Sequence, residues 1–254
     1  MARAYFQLSL ALGWVLRSAR YTQAPIVDSD AQRVVRKRRA FYAPLLIWMG
    51  DLAVTLLNTG TRVLTQREWE ERERLIYKKV YGTSIQIEAD GTLVLPYLAG
   101  KTLASVLEDP ALEESNRRKS IESAVVALAE FHRQGFTHAD AMAENVLIDR
   151  SSVARWFDFE TIHDSSRSVV WRRADDVRAL VVTSLIRTIP EKRADTLRLV
   201  LDAYADEDVT RELAMSFTSV WRRSLSFHLA QAALSFDSFR EVGRLLQDRR
   251  GQVH

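Results

Sequence analysis

His138-Ala139-Asp140-Ala141-Met142-Ala143-Glu144-Asn145-Val146-Leu147-Ile148-Asp149 is the stretch whose reading decides the fold. It continues through Arg150-Ser151-Ser152 to Val153-Ala154-Arg155-Trp156-Phe157-Asp158-Phe159-Glu160. Two β-like runs, Asn145 to Asp149 and Val153 to Phe157, flank a turn-like Arg-Ser-Ser. The pattern predicts a tight hairpin. A hairpin sets the start of its first strand beside the end of its second, so Asn145 and Asp158 meet at one end. Both side chains offer hard oxygen donors, the kind that hold a divalent cation.

Working outward, Ile121, Ala124, Val125, Leu128 and Phe131 recur at helical spacing, with Gly135 placed as a helix stop. A second helix is predicted over residues 66–80. Steps of four, three and four residues join Trp69, Glu73, Ile76 and Val80 on one face. A carboxylate within an apolar stripe requires a partner. Thr92-Leu93-Val94-Leu95 reads as a strand and Pro96-Tyr97-Leu98-Ala99-Gly100 as a turn-rich exit from it. Segments 194–205, 209–231 and 236–248 read as helices with core-facing stripes.

The 254 residues carry 47% hydrophobic and 27% charged side chains, ordinary for a globular protein. With no cysteine, disulfides, thiolate metal sites and a cysteine nucleophile are excluded. Five widely spaced histidines form no ligand cluster, so neither His132 nor His163 is expected to bind metal. The longest apolar run, Leu45 to Leu57, is too short to span a bilayer and is interrupted by Asp51. No signal-peptide pattern is read at the N-terminus, and the expected location is cytoplasmic. The net charge of +3 is uneven: Arg33, Arg36, Lys37, Arg38 and Arg39 form a basic cluster. It reads either as a solvated helix face or as a site for an anionic partner: nucleic acid, a phospholipid surface or a phosphorylated substrate. An amphipathic stretch from Tyr5 to Leu16 extends the second idea to peripheral membrane contact.

The spacing H-x-D-x4-N, followed after twelve residues by Asp158, resembles the catalytic and metal-binding loops of the protein-kinase-like superfamily. It looks most like the small bacterial branch: aminoglycoside and choline phosphotransferases, and lipopolysaccharide (Kdo) kinases. The Leu128-Ala129-Glu130-Phe131-His132 wording is similar to that branch, and the likeness covers roughly residues 66 to 185. It implies an α+β, two-lobed fold with a reduced N-terminal lobe, residues 1–97, carrying an extra helical segment. A mostly helical C-terminal lobe, residues 98–254, would follow.

The resemblance also implies ATP and Mg²⁺. Asp140 would orient or deprotonate an acceptor hydroxyl, and Asn145 and Asp158 would hold the cation. His138 and Asp176 would brace the catalytic loop. Glu73 would pair with a strand lysine that touches phosphate, and the Leu95-Pro96-Tyr97-Leu98 backbone would hold adenine. Because the metal motif ends D-F-E, Glu160 becomes an extra ligand or an acceptor for substrate hydroxyls.

Three departures stand out. The family's strand lysine lies shortly before the helix Glu, yet no Lys occurs between Lys37 and Lys78. Arg62, Arg67, Lys101, or Lys37 displaced by an insertion are the substitutes. No G-x-G-x-x-G loop is present; Gly50 and Gly60 stand alone. Ala139 replaces the arginine of protein kinases, so control by activation-loop phosphorylation is not expected. Two functions follow from the likeness. One is a phosphotransferase moving the ATP γ-phosphoryl group to a hydroxyl of a small-molecule, sugar or lipid-linked acceptor. The alternative is a pseudokinase-type module that binds nucleotide or a partner without turnover.

Overall fold

Strand alternation along Gln32–Arg39 sends Val35, Lys37 and Arg39 to one face and Val34, Arg36 and Arg38 to the other. This strand organises the first half of the structure. The computed structural model describes residues 22–29, 32–41, 43, 47, 60–218 and 242–247. The Tyr5 to Leu16 stretch, Gly50, the apolar run Leu45 to Leu57 apart from Ile47, and the helix readings beyond Thr218 other than 242–247 lie outside these residues.

The architecture is mixed α+β, in the class the sequence implies. Strands β1 (Thr22–Gln23) and β2 (Ile26–Ser29) both pair antiparallel with β3 (Gln32–Arg39). On its other edge β3 meets β6 (Leu93–Pro96), which in turn pairs with β5 (Gln86–Ile87). Leu93 and Leu95 are buried on the same side as Lys37 and Arg39, and helix α1 (Gln66–Val80) covers that side. The helix begins at Thr65, whose N–H and hydroxyl both donate to the Glu68 carboxylate, a reciprocal cap. Arg62, chiefly, holds that carboxyl down at about 2.

The basic cluster is divided by this alternation. Lys37 and Arg39 are buried. Arg33, Arg36 and Arg38 remain toward solvent, and each faces a carboxylate: Asp28, Glu88 and Asp90. The five cations therefore do not form one surface patch.

The second half is helical. It comprises α2 (Leu103–Glu108), α3 (Glu114–Arg133), α4 (Val169–Ile186), α5 (Arg193–Tyr204) and α6 (Glu207–Thr218). The apolar face read on α3, Ile121 through Phe131, is buried, and the helix stops just before Gly135 at φ 87°. Helix α4 is buried almost all round, with α3, α5 and α6 packed against it.

The predicted hairpin is present. Strand β8 (Val146–Ile148) pairs antiparallel with β9 (Ala154–Trp156). Its turn is closed by Asp149, whose carboxylate accepts from the Ser151 and Val153 amides. On the outer edge of β8 lies β7 (Lys101–Thr102). A two-stranded ribbon, β4 (Thr61–Val63) with β10 (Thr161–His163), ties the entry of α1 to the chain leaving the hairpin. Among the described residues, no helix is long and apolar enough to cross a membrane.

Gly100 shows how tightly the segment after β6 is laid down. A Cβ there would stand 2.6 Å from the Ile148 carbonyl oxygen, a backbone atom that cannot swing aside. Gly100→Ala is therefore expected to cost about 1–3 kcal/mol through overpacking, read as a lower urea midpoint. An unchanged midpoint would contradict the close packing.

Candidate functional site

Lys37 Nζ is the centre of the site. It lies 3.1 Å from Glu73 Oε1, 2.6 Å from Asp158 Oδ1 and 3.2 Å from Glu160 Oε1. The strand lysine that the sequence places in doubt is thus Lys37, thirty-six residues ahead of Glu73. Residues between β3 and β4 lengthen the connection without moving either end out of register. The other candidates are engaged elsewhere: Arg62 with Glu68, Arg67 with Glu71, and Lys101 with Asp109.

Burial works against the Lys37 ammonium, but Asp158, Glu73 and Glu160 outweigh it and raise its pKa well above the ordinary value. Lys37 remains a cation at any working pH. Burial likewise pushes Asp158 up, and the Lys37 charge and hydrogen bond more than reverse this. For Glu160 burial wins and the carboxyl is raised. Thr22 donates to the Glu160 Oε2 atom at 3.1 Å, so the edge strand β1 reaches into the site.

Two residues that sequence reasoning missed shape this centre. Trp69, one turn before Glu73, donates its indole N–H to Glu73 Oε1 at 3.2 Å. Its ring lies under Lys37 Nζ at 5.1 Å and under the Arg39 guanidinium at 4.7 Å. Arg39 also donates to the Leu64 carbonyl at 2.8 Å, fixing the start of α1 against β3. An indole N–H at i−4 to a buried Glu was the available signal, since it can satisfy a buried carboxylate. Glu73 Oε2 is buried without a hydrogen-bond partner.

The residues of the loop 138–145 form a second group. Asn145 Nδ2 donates to the Asp140 carbonyl and to Asp140 Oδ2, each at 2.8 Å. That commits the amide nitrogen and leaves the amide oxygen as the group a cation would meet. The Phe157 N–H donates to the Asn145 carbonyl at 3.0 Å, one step beyond the β8–β9 pairing. The hairpin therefore sets Asn145 beside the strand end that carries Asp158. Asp140 and Asp158 are both partly exposed, while Asn145 is buried.

Asp176, on α4, holds the loop's backbone. Its carboxylate accepts from the His138 and Ala139 amides, both at 2.7 Å, and from His132 Nε2 at 2.9 Å. His132 Nδ1 in turn lies 2.6 Å from the Tyr204 hydroxyl. Both ring nitrogens of His132 are thus engaged, one by Asp176 and one by Tyr204. Ala139 sits at φ 67° and Asp158 at φ 70°, left-handed conformations that an L-residue adopts only when its surroundings enforce them. His138 is buried against Phe131, Trp156 and Phe159 and contacts the Phe157 carbonyl at 2.9 Å through Nε2. Burial pulls its pKa down to about 4, so the ring is neutral at neutral pH.

In the stretch Leu95 to Leu98, Pro96 has no N–H. The Tyr97 N–H donates to the Arg33 carbonyl at 3.2 Å. Donors for a nucleobase in that stretch exclude these two positions.

No family model matches the chain. Two curated proteins are similar in part. Both are the O-antigen chain terminator bifunctional methyltransferase/kinase WbdD of Escherichia coli, each 36% identical over 81 residues. That stretch is 32% of this chain and 11% of the relative's length. Over it, the chain is similar to part of a protein whose name includes a kinase activity.

The Asp176 carboxyl gives the site a pH signature. Burial would raise it, but the neighbouring His163 and the hydrogen bond from His132 hold it down at about 2, against an ordinary 3.8. A depressed carboxyl stabilises the fold fully above its unfolded pKa and loses that contribution as pH falls through its folded value. The shift corresponds to roughly 2 kcal/mol, lost between about pH 4 and pH 2. Urea midpoints of Asp176→Asn measured across this window are expected to be lower at neutral pH and to fall less steeply than wild type. Parallel pH profiles for the two proteins would contradict that assignment.

Proposed function

We propose that this chain is a kinase-like phosphotransferase. It moves the γ-phosphoryl group of ATP to a hydroxyl of a small-molecule, sugar or lipid-linked acceptor. The observation that carries the reading is Lys37 Nζ held jointly by Glu73 on α1 and Asp158 beyond the hairpin. A buried cation shared by a helix carboxylate and a second, partly exposed carboxylate suits a bound polyphosphate better than it suits a purely structural salt bridge. The partial similarity to a methyltransferase/kinase supports the same class. The alternative, a module without turnover, rests on the apparent loss of the strand lysine and on the absent G-x-G-x-x-G loop; Lys37 beside Glu73 weighs against the first of these grounds.

The donor set fits Mg²⁺. Asp158 and Asn145 offer hard oxygens, and Asp158 is partly exposed where a cation would approach. Among the described residues, no group of three or more His, Asp or Glu side chains is arranged to hold a metal by itself. That suits an ion which keeps positions for phosphate oxygens and water. When bound, Mg²⁺ supplies charge neutralisation on the phosphates.

The chain's own residues do the rest. Lys37 binds phosphate oxygens and is kept in place by Glu73. Asp140, with one carboxylate oxygen fixed by Asn145, orients the acceptor hydroxyl. The hydroxyl oxygen attacks the γ-phosphorus, its proton passes to Asp140, and the bond to the β,γ-bridging oxygen breaks to release ADP. Positioning and electrostatic preorganisation carry most of the rate.

The test is Mg²⁺-dependent ATP binding by thermal shift, together with turnover against a panel of sugar and lipid-linked alcohols. Asp158→Ala is expected to abolish the Mg²⁺-dependent shift. Asp140→Ala is expected to keep the shift and lose turnover. Lys37→Ala is expected to lower kcat about 10²–10³-fold, the scale for removing one preorganised donor. Wild-type binding without turnover on any acceptor would favour the pseudokinase alternative. No binding up to millimolar Mg·ATP would overturn the phosphotransferase reading and favour a partner-binding module without turnover.

A further inference from the structure

Arg72 precedes Glu73 on α1 but turns to a different partner. Its Nη2 donates to the Thr137 carbonyl at 2.5 Å, across sixty-five residues of sequence. Thr137 is the residue immediately before His138, where the catalytic loop begins. Its hydroxyl is itself held 2.9 Å from His163 Nδ1, on β10. His163 Nε2 lies 3.1 Å from Asp175 Oδ2, beside the brace residue Asp176. Thr137 is therefore the point where α1, the ribbon and α4 converge on the loop.

Arg72 is half-buried, and its Nε is sealed from solvent without a hydrogen-bond partner. Burial lowers the Arg72 pKa to about 10, while the charges of Asp176 and Glu73 support the cation. The group stays charged at neutral pH. A half-buried cation spending a hydrogen bond on a main-chain carbonyl is costly unless the contact fixes something. What it fixes is the distance between two groups that must act together: Glu73, which holds Lys37, and the loop that carries Asp140.

We propose that Arg72 is a positioning residue that locks helix α1 to the catalytic loop, holding the Lys37–Glu73 pair in its working place without any modification of the chain. The proposal rests on the phosphotransferase reading for its catalytic consequence, but the mechanical link can be tested without it. The arrangement also accounts for how Ala139 can stand where an arginine might have coupled the loop to a phosphorylated segment. Here the cation comes from the helix, and its target is a backbone carbonyl that is always present.

Two measurements on the full chain decide it. The first is amide hydrogen exchange without nucleotide. Arg72→Ala is expected to raise exchange jointly in residues 66–80 and 136–140, with little change in α5. Arg72→Lys, which keeps a charged donor, is expected to restore part of the protection. Unchanged exchange at 136–140 in Arg72→Ala, or a uniform rise across the whole chain, would overturn the link.

The second is a double-mutant cycle on kcat with Glu73→Gln. Arg72→Ala is expected to lower kcat by about 100-fold, the scale of a misplaced catalytic group, with KM for Mg·ATP little changed. Because Arg72 acts through Glu73, the double variant is expected to be no worse than the weaker single variant. Losses that multiply would show two independent structural defects and overturn the positioning role. If wild type binds Mg·ATP but turns over no acceptor, the phosphotransferase reading fails; the exchange arm then still upholds or overturns the link.

Discussion

One ammonium group holds three separate parts of the chain in register. Lys37 Nζ comes from a strand, Glu73 from a helix, and Asp158 and Glu160 from the segment after the hairpin. Each carboxylate would be expensive to bury alone, and Lys37 would be expensive to bury without them. The geometry is therefore collective: removing one member strands the others. Such a cluster is a poor source of net stability but a strong constraint on relative placement. It explains why Trp69 and Arg39 crowd around it, since they close the site to water and fix the strand against the helix.

The second constraint is the Asp176 carboxylate, which gathers two backbone amides and an imidazole at one point. Those bonds hold Ala139 in a left-handed conformation that no side chain of its own would stabilise. Tyr204, His132 and Asp176 link α5, α3 and α4 into the same support. The loop is thus shaped from beneath, by buried polar groups in a helical layer, while Asp140 keeps partial exposure above, held by the buried Asn145. Rigidity below and partial exposure above is the division that the proposed acceptor site needs.

The hairpin, the α1 stripe and the α3 stripe were legible because each repeats with a clear period, and a period survives without knowledge of neighbours. Asp176 was legible through resemblance alone; nothing local in Asp175-Asp176 says which of the two turns toward the loop. Lys37 is only one of four candidates in the sequence, because spacing along the chain is a poor guide to distance in space. The segment between β3 and β4 lengthens the path while strand pairing with β6 keeps Lys37 facing Glu73. The basic run around it was read as a cluster because composition does not register the two-residue alternation that sends its members to opposite faces. Trp69 reads from the sequence only as part of an apolar stripe; its indole N–H, like the ring nitrogens of His132 and the hydroxyl of Tyr204, carries a polar role that no period reveals.

The ribbon between β4 and β10 bears on how the molecule assembles. Thr61 pairs with His163, about a hundred residues further along the chain, so this contact closes a large loop. Helix α1 and the hairpin lie inside that loop, while Lys37 stands before it and Asp176 after it. The Lys37 cluster therefore draws on residues from 37 to 160, and α1 folding by itself does not complete it. Folding of this region is expected to be late and cooperative, with the charged centre completed in one step rather than accumulated.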